Sequence, residues 1–230
     1  MASPLRVVFP IYPGVTQLDF TGPHQFLARL PGAELIVASR GGVPVAADGL
    51  TFDGLAVLEE IERCDVICVP GGHGCAEAMA DAVYMAAIRR LAAGARFVTS
   101  VCTGSLILGA AGLLAGRRAA CHWAWRDLLL PFGAVPDPGR VVRDGNILSG
   151  GGVTAGIDFA LALIAELAGP ATAQAIQLGL EYAPAPPFEA GSPQTAPAAV
   201  LERVRAVNAA AMPARRAAVE RAAERLRAEA

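Results

Sequence analysis

Cys102 stands in the heptapeptide TSVCTGS, where an apolar run ends at Val101 and a helical run begins within a residue or two. A thiol on such a strand-to-helix elbow faces the free N–H groups and partial positive charge of the helix start. Both favour the thiolate, and with it nucleophilic attack. The small neighbours Ser100, Thr103, Gly104 and Ser105 let the turn close. The expectation is therefore a nucleophilic cysteine with a lowered pKa; the plain alternative is a buried Cys packing as a small hydrophobe. Gly71-Gly72-His73-Gly74 also follows an apolar run. Glycine can bring its N–H close to a reacting atom without a Cβ in the way, so the N–H groups near Gly72 and of Thr103 are candidate donors to an oxyanion or anion. The loop matches no nucleotide-binding glycine pattern. Asp19, in QLDFTGP, offers a carboxyl that can act as general acid or base near the sulfur. Taken alone, an Asp before a helix more often caps it. His122 lies between Cys121 and Trp123. It suggests a Cys–His dyad or a histidine packed among tryptophans, and spacing leaves both open.

The elements that must position these residues follow from hydrophobic runs and their stops. LRVVFP (5–10), ELIVAS (34–39), DVICVP (65–70) and RFVTSV (96–101) read as buried strands. Thr21-Gly22-Pro23 opens a helix running through HQFLARL, GGVPVAADGLTFDG reads as a hairpin or edge excursion, and MADAVYMAAIRRLAAG reads as one helix. TGSLILGAAGLL is the helix after Cys102. A short extended stretch near RRAACH, a helix WAWRDLLLPF, and a strand pair VVRDG–NILSGG follow. TAGIDFALALIAELAG and PATAQAIQLGLEY are two further helices. The arm at 183–198 is rich in Pro, Gly and Ser, and a C-terminal helix at 199–228 is expected to break or kink near Pro213. Apolar strands alternating with helices predict an α/β fold: a mostly parallel sheet covered on both faces, with ligands at the carboxyl ends of the strands. Asp19, Gly72 and Cys102 all fall at such ends.

Composition narrows the function. Of 230 residues, 54% are hydrophobic and 17% charged, enough apolar surface for one core spanning 1–230 as a single domain. The formal charge of −2 gives no general attraction to nucleic acid. No run of about eighteen apolar residues predicts a membrane span. The opening MASPLRVVFP lacks the pattern of a secretory signal, so a cytoplasmic protein is expected. Five cysteines without a regular framework argue against a disulfide scaffold; Cys64 and Cys68 are four apart, but no His or second Cys pair stands at metal spacing, so no zinc site is expected. Cys64, Cys68, Cys75 and Cys121 read as structural.

Taken together, VPGG (69–72), VCTGS (101–105) and the acidic residue after the first strand resemble the ThiJ/PfpI superfamily, which implies a flavodoxin-like three-layer sandwich with a cysteine on its elbow. QLDFTGPHQFL, CVPGGHG, TSVCTGSLILGAAGLLAGRRAACHW, VVRDGNILSGGGVTAGIDFALAL and LEYAPAPPFEAGSPQTAP resemble the isocyanide (isonitrile) hydratase family within it, over about residues 5–200. The resemblance implies hydration of isocyanides to N-substituted formamides, with Cys102 as nucleophile, Asp19 as its acidic partner, and the N–H groups near Gly72 and Thr103 holding the adduct. It also implies no cofactor, no metal, and a homodimer. Related readings are another thiol enzyme of this fold, glyoxalase-like or amidase-like, or a cysteine redox sensor. AraC-type regulators carry a similar domain, but the roughly thirty residues after Pro197 are too few for two helix-turn-helix units.

Overall fold

A computed structural model describes residues 4–229; the expected domain bounds 1 and 230 lie outside the described residues. In chain order the elements are β1 (Leu5–Pro10), α1 (Gln17–Leu27), β2 (Ala33–Ser39), β3 (Val45–Ala47), β4 (Leu50–Phe52), β5 (Ala56–Val57) and β6 (Val66–Val69). They continue with α2 (Cys75–Ala80), α3 (Ala82–Gly94), β7 (Phe97–Val101), α4 (Gly104–Ala110), β8 (Arg118–Ala119), β9 (Val135–Pro136), β10 (Val141–Asp144) and β11 (Ile147–Gly150). Three helices close the chain: α5 (Ala155–Ala168), α6 (Pro170–Gly179) and α7 (Ala198–Glu229).

The central sheet has seven strands in the order β10-β11-β7-β6-β1-β2-β5. Every pair is parallel except β10–β11, a hairpin closed through Gly145, which has φ 63°. The predicted architecture is the observed one. Helices α1, α5 and α6 pack together on one face, while α2, α3, α4 and α7 gather on the other. All four residues of β6 and all five of β7 are buried, as suits the wholly apolar VICV of β6 and the small hydroxyl residues within β7. The buried hydroxyls in and after β7 are satisfied. Thr99 donates to the Ile67 carbonyl at 2.8 Å, and Ser105 donates to the Ala120 carbonyl at 2.5 Å.

Four local expectations change. The helix α1 begins at Gln17, a turn earlier than expected, and carries Pro23 inside it. The helix expected within 79–94 begins only at Ala82, because Asp81 takes an extended conformation and caps α3 by accepting from the N–H groups of Val83 and Tyr84. The expected helix WAWRDLLLPF is a tighter 3-10 segment, Arg126–Phe132, ended by Gly133 in the left-handed region. Finally, α7 runs unbroken across Pro213. No helix among the described residues is long and apolar enough to cross a membrane.

Candidate active site

The strand order places the site. β7, β6 and β1 are neighbours, so the segments leaving their carboxyl ends converge: Cys102 after β7, Gly71 after β6, and Asp19 at the start of α1 after β1. The direction of the chain changes beside β1, where crevices open in parallel sheets.

Cys102 occupies the elbow with φ 59°, a left-handed conformation rare for a residue with a side chain. Its N–H donates to the Gly150 carbonyl at 3.0 Å, tying the turn to β11. Helix α4 can start so abruptly because Gly104 sits directly against β6; a Cβ there would meet the Val69 carbonyl oxygen at 2.1 Å. The strain is therefore held by close backbone packing on both sides of the cysteine.

Asp19 does not cap α1. Its carboxyl is fully buried, and Oδ2 accepts from the Gly71 N–H at 2.9 Å. Gly71 is needed for this contact, since a Cβ would lie 2.8 Å from that oxygen and 2.5 Å from the Thr103 nitrogen. The other oxygen, Oδ1, has no partner of ordinary hydrogen-bond geometry among the described residues. Burial raises the Asp19 pKa to about 7, against the lowering effect of the Gly71 N–H and of the neighbouring Cys102 thiol.

The thiol departs from expectation. Burial, and then the charge of Asp19, push Cys102 well above the ordinary thiol range, although the Thr103 N–H opposes this. Cys102 is only 5% exposed, so loss of hydration outweighs the start of the short helix α4. Two acids in contact cannot both ionise readily, and the carboxyl is the stronger. The resting pair is a protonated thiol beside a carboxyl that ionises near neutrality.

The expected donors are placed as follows. The Thr103 N–H favours the Cys102 thiolate, opposing the effect of burial. The Gly72 N–H donates to Thr103 Oγ1 at 2.9 Å, so it braces the elbow. His122 makes no hydrogen bond to Cys102 among the described residues; its Nδ1 accepts from the Ala124 N–H at 3.3 Å and its ring stacks on Trp123. All five cysteines are free thiols. Cys75 and Cys121 are fully buried close to Cys102, a grouping that their distant positions in the chain did not reveal.

A cavity of about 350 Å³ lies on the Gly151 side of the elbow, lined by neither Cys102 nor Asp19. Cys121, His122 and Trp123 form one wall, Gly151–Thr154 another, and residues 191–194 of the Pro-rich arm cover it. Gly151 directly follows the carbonyl that holds the Cys102 N–H. Among the described residues no group of three or more His, Cys, Asp or Glu is arranged to hold a metal.

The sequence is 52% identical over 223 residues to an isonitrile hydratase of Pseudomonas putida, covering 96% of this chain and 98% of that protein. The structure matches that of a ThiJ/PfpI family protein from Pseudomonas syringae with TM-score 0.90 and 41% identity, over 96% of this chain and 90% of the other. An HTH-type transcriptional regulator of Pseudomonas aeruginosa is 30% identical over 59% of this chain, but the match spans 40% of the regulator. A model of the DJ-1/PfpI family matches residues 5–166, and the chain belongs to that family.

Proposed function

We propose that this protein is a hydro-lyase that hydrates isocyanides to N-substituted formamides, with Cys102 as nucleophile and Asp19 as proton carrier. The observation that carries the reading is the buried acid pair: a thiol held on a strained elbow beside a carboxyl whose pKa is about 7. The near full-length similarity to an isonitrile hydratase supports the same chemistry.

The isocyanide carbon of R–N≡C accepts both a nucleophile and a proton, and the pair supplies both. The Cys102 sulfur bonds to that carbon while its proton passes through Asp19 to the same carbon. The product is a thioimidate, R–N=CH–S–Cys. Water then adds to the carbon, giving one proton to Asp19, which returns it to the nitrogen. Collapse of R–NH–CH(OH)–S–Cys breaks the C–S bond, releases R–NH–CHO and restores the thiol. A carboxyl poised near neutrality suits both steps, because it must accept and donate in each cycle. Burial keeps the thiol protonated until substrate arrives, which limits wasteful reaction with other electrophiles. The Thr103 N–H, which favours the thiolate, steadies the negative charge as the C–S bond breaks. Gly72 acts through Thr103, and His122 shapes the cavity wall. No cofactor is required by this balance of atoms.

We read residues 1–230 as a single domain, with the arm at 183–198 as its cover and the helix that follows as its flank. The family resemblance supports a cytoplasmic homodimer.

The test is turnover of p-nitrophenyl isocyanide, followed by absorbance, with Cys102→Ala alongside. Formamide from the wild type and none from the folded variant is expected. Near-equal rates would remove Cys102 from the mechanism, and an inactive, reduced, folded wild type would sink the hydratase reading.

A further inference from the structure

The Gly71 N–H that reaches Asp19 belongs to a peptide plane held at both ends. At one end the Gly71 N–H donates to Asp19 Oδ2 at 2.9 Å; at the other the Pro70 carbonyl accepts from the Tyr12 hydroxyl, also at 2.9 Å. Both bonds are buried, and Tyr12, just beyond β1, is only 4% exposed. Gly71 has no Cβ, so little else stops this plane from turning over. Turned over, it would bring an oxygen rather than a donor toward the carboxyl. The next plane is fixed independently, since Thr16 N–H donates to the Gly71 carbonyl at 2.9 Å and Gly72 N–H donates to Thr103 Oγ1. A second tyrosine supplies a contrast. Tyr84 of α3 is as deeply buried, meets the Tyr12 ring edge-on at 5.7 Å, and donates to the Pro10 carbonyl at 2.9 Å. The plane it holds ends at the Ile11 N–H, which donates to Ala38 of β2 and not to the site.

We propose that Tyr12 is a positioning residue of the active site, which fixes the Pro70–Gly71 plane so that its N–H stays on Asp19. The hydroxyl acts twice. It sets the orientation of the plane, and by drawing electron density to the carbonyl oxygen it makes the N–H a stronger donor, as hydrogen bonds in series do. Burial holds the Tyr12 hydroxyl well above its ordinary pKa, so it remains a donor across the neutral range. Burial raises the Asp19 pKa, and the Gly71 N–H opposes it by favouring the charged form. The titratable groups that face the carboxyl are Tyr12 itself, Cys102 on the elbow, Cys68 of β6 and Asp48 between β3 and β4. For its effect on turnover the inference rests on the hydratase reading, and it goes beyond it by naming what tunes the proton carrier.

The experiment follows the Asp19 carboxyl carbon by NMR in protein carrying isotope-labelled aspartate, the signal being identified by its loss in Asp19→Asn. The wild type is expected to titrate at about 7. Tyr12→Phe keeps the ring and removes the hydroxyl, and its midpoint is expected to rise by about one pH unit. Roughly a tenth of the carboxyl is then ionised at pH 7 where about a half was, so kcat for p-nitrophenyl isocyanide falls roughly fivefold there and recovers as the pH passes the new midpoint. Tyr84→Phe removes an equally buried hydroxyl and is expected to leave both midpoint and pH profile unchanged, whatever stability it loses. Replacing the tyrosines by meta-fluorotyrosine, a stronger donor, is expected to lower the midpoint, and this arm decides if Tyr12→Phe does not fold. A midpoint unmoved by Tyr12→Phe or by the fluorinated ring, or moved as far by Tyr84→Phe, overturns the proposal. A midpoint that rises in Tyr12→Phe alone, in a protein that hydrates no isocyanide, upholds the role of Tyr12 and sinks only the hydratase reading.

Discussion

At the scale of single residues, the proposed mechanism turns on two buried acids in contact, Cys102 and Asp19. Asp19 has a folded pKa of about 7 against an ordinary 3.8. A group raised in this way holds its proton more tightly in the folded chain than in the unfolded one. Its contribution to stability is therefore full below about pH 4 and is lost as the pH rises toward 7. At ~1.4 kcal/mol per pH unit, the loss comes to a few kcal/mol. Asp19→Asn removes this dependence. Its melting temperature is expected to gain on the wild type between pH 4 and pH 7 and then run parallel above. The same substitution removes a negative neighbour from Cys102, so iodoacetamide is expected to alkylate that thiol with a lower pH midpoint. Turnover is nevertheless expected to fall about 100-fold or more, the usual scale of a lost acid-base group. A gap in melting temperature that ignores pH, or a variant as active as the wild type, would return Asp19 to a purely structural role.

At the scale of elements, the site depends on how closely three turns can approach. Gly71 is the tightest point, because a Cβ there would press on Thr103 and Asp19 at once. Gly71→Ala is expected to destabilise the fold by about 1–3 kcal/mol, as overpacking does. It is also expected to abolish turnover while the chain stays folded at 25 °C, since it separates the carboxyl from the elbow. Circular dichroism beside an isocyanide assay checks both; a stable and active variant would show that the approach is not needed. The elbow was legible in the sequence because a β-branched strand running straight into a helix leaves little more than Cys102 to make the turn. Asp19 was harder to read. An Asp at the opening of a helix usually caps it, whereas α1 starts two residues earlier, at Gln17, and buries Asp19. The raised thiol pKa was hidden for another reason. A helix start is visible in local sequence, but burial in the folded core and the charge of Asp19, which outweigh it, depend on segments distant in the chain.

At the scale of the molecule, two late segments extend the layers around the sheet. The arm reaches the cavity through residues 191–194, and α7 returns along the opposite face to place Arg215 behind Trp125. The long helix does this with only one half. From Ala198 to Ala214 almost every residue is exposed or half-buried, whereas Arg215, Ala218, Val219, Ala222 and Ala223 are buried. The buried positions recur at helical spacing, so a single stripe docks against α2 and α4. Two substitutions of the same kind separate the halves. Val219 is 0% exposed and Val207 is 71% exposed. Val219→Asp puts an unpaired carboxyl into the docked stripe and is expected to cost several kcal/mol, or to release the helix end. Val207→Asp is expected to stay within about 0.5 kcal/mol of the wild type, as surface changes do. Urea unfolding of both variants measures the contrast. If Val219→Asp also frees Arg215 from Trp125, its tryptophan emission moves to longer wavelength below the unfolding midpoint. Equal stability of the two variants would mean that α7 is a passive tail, and that the cation behind the cavity is not held there by the fold.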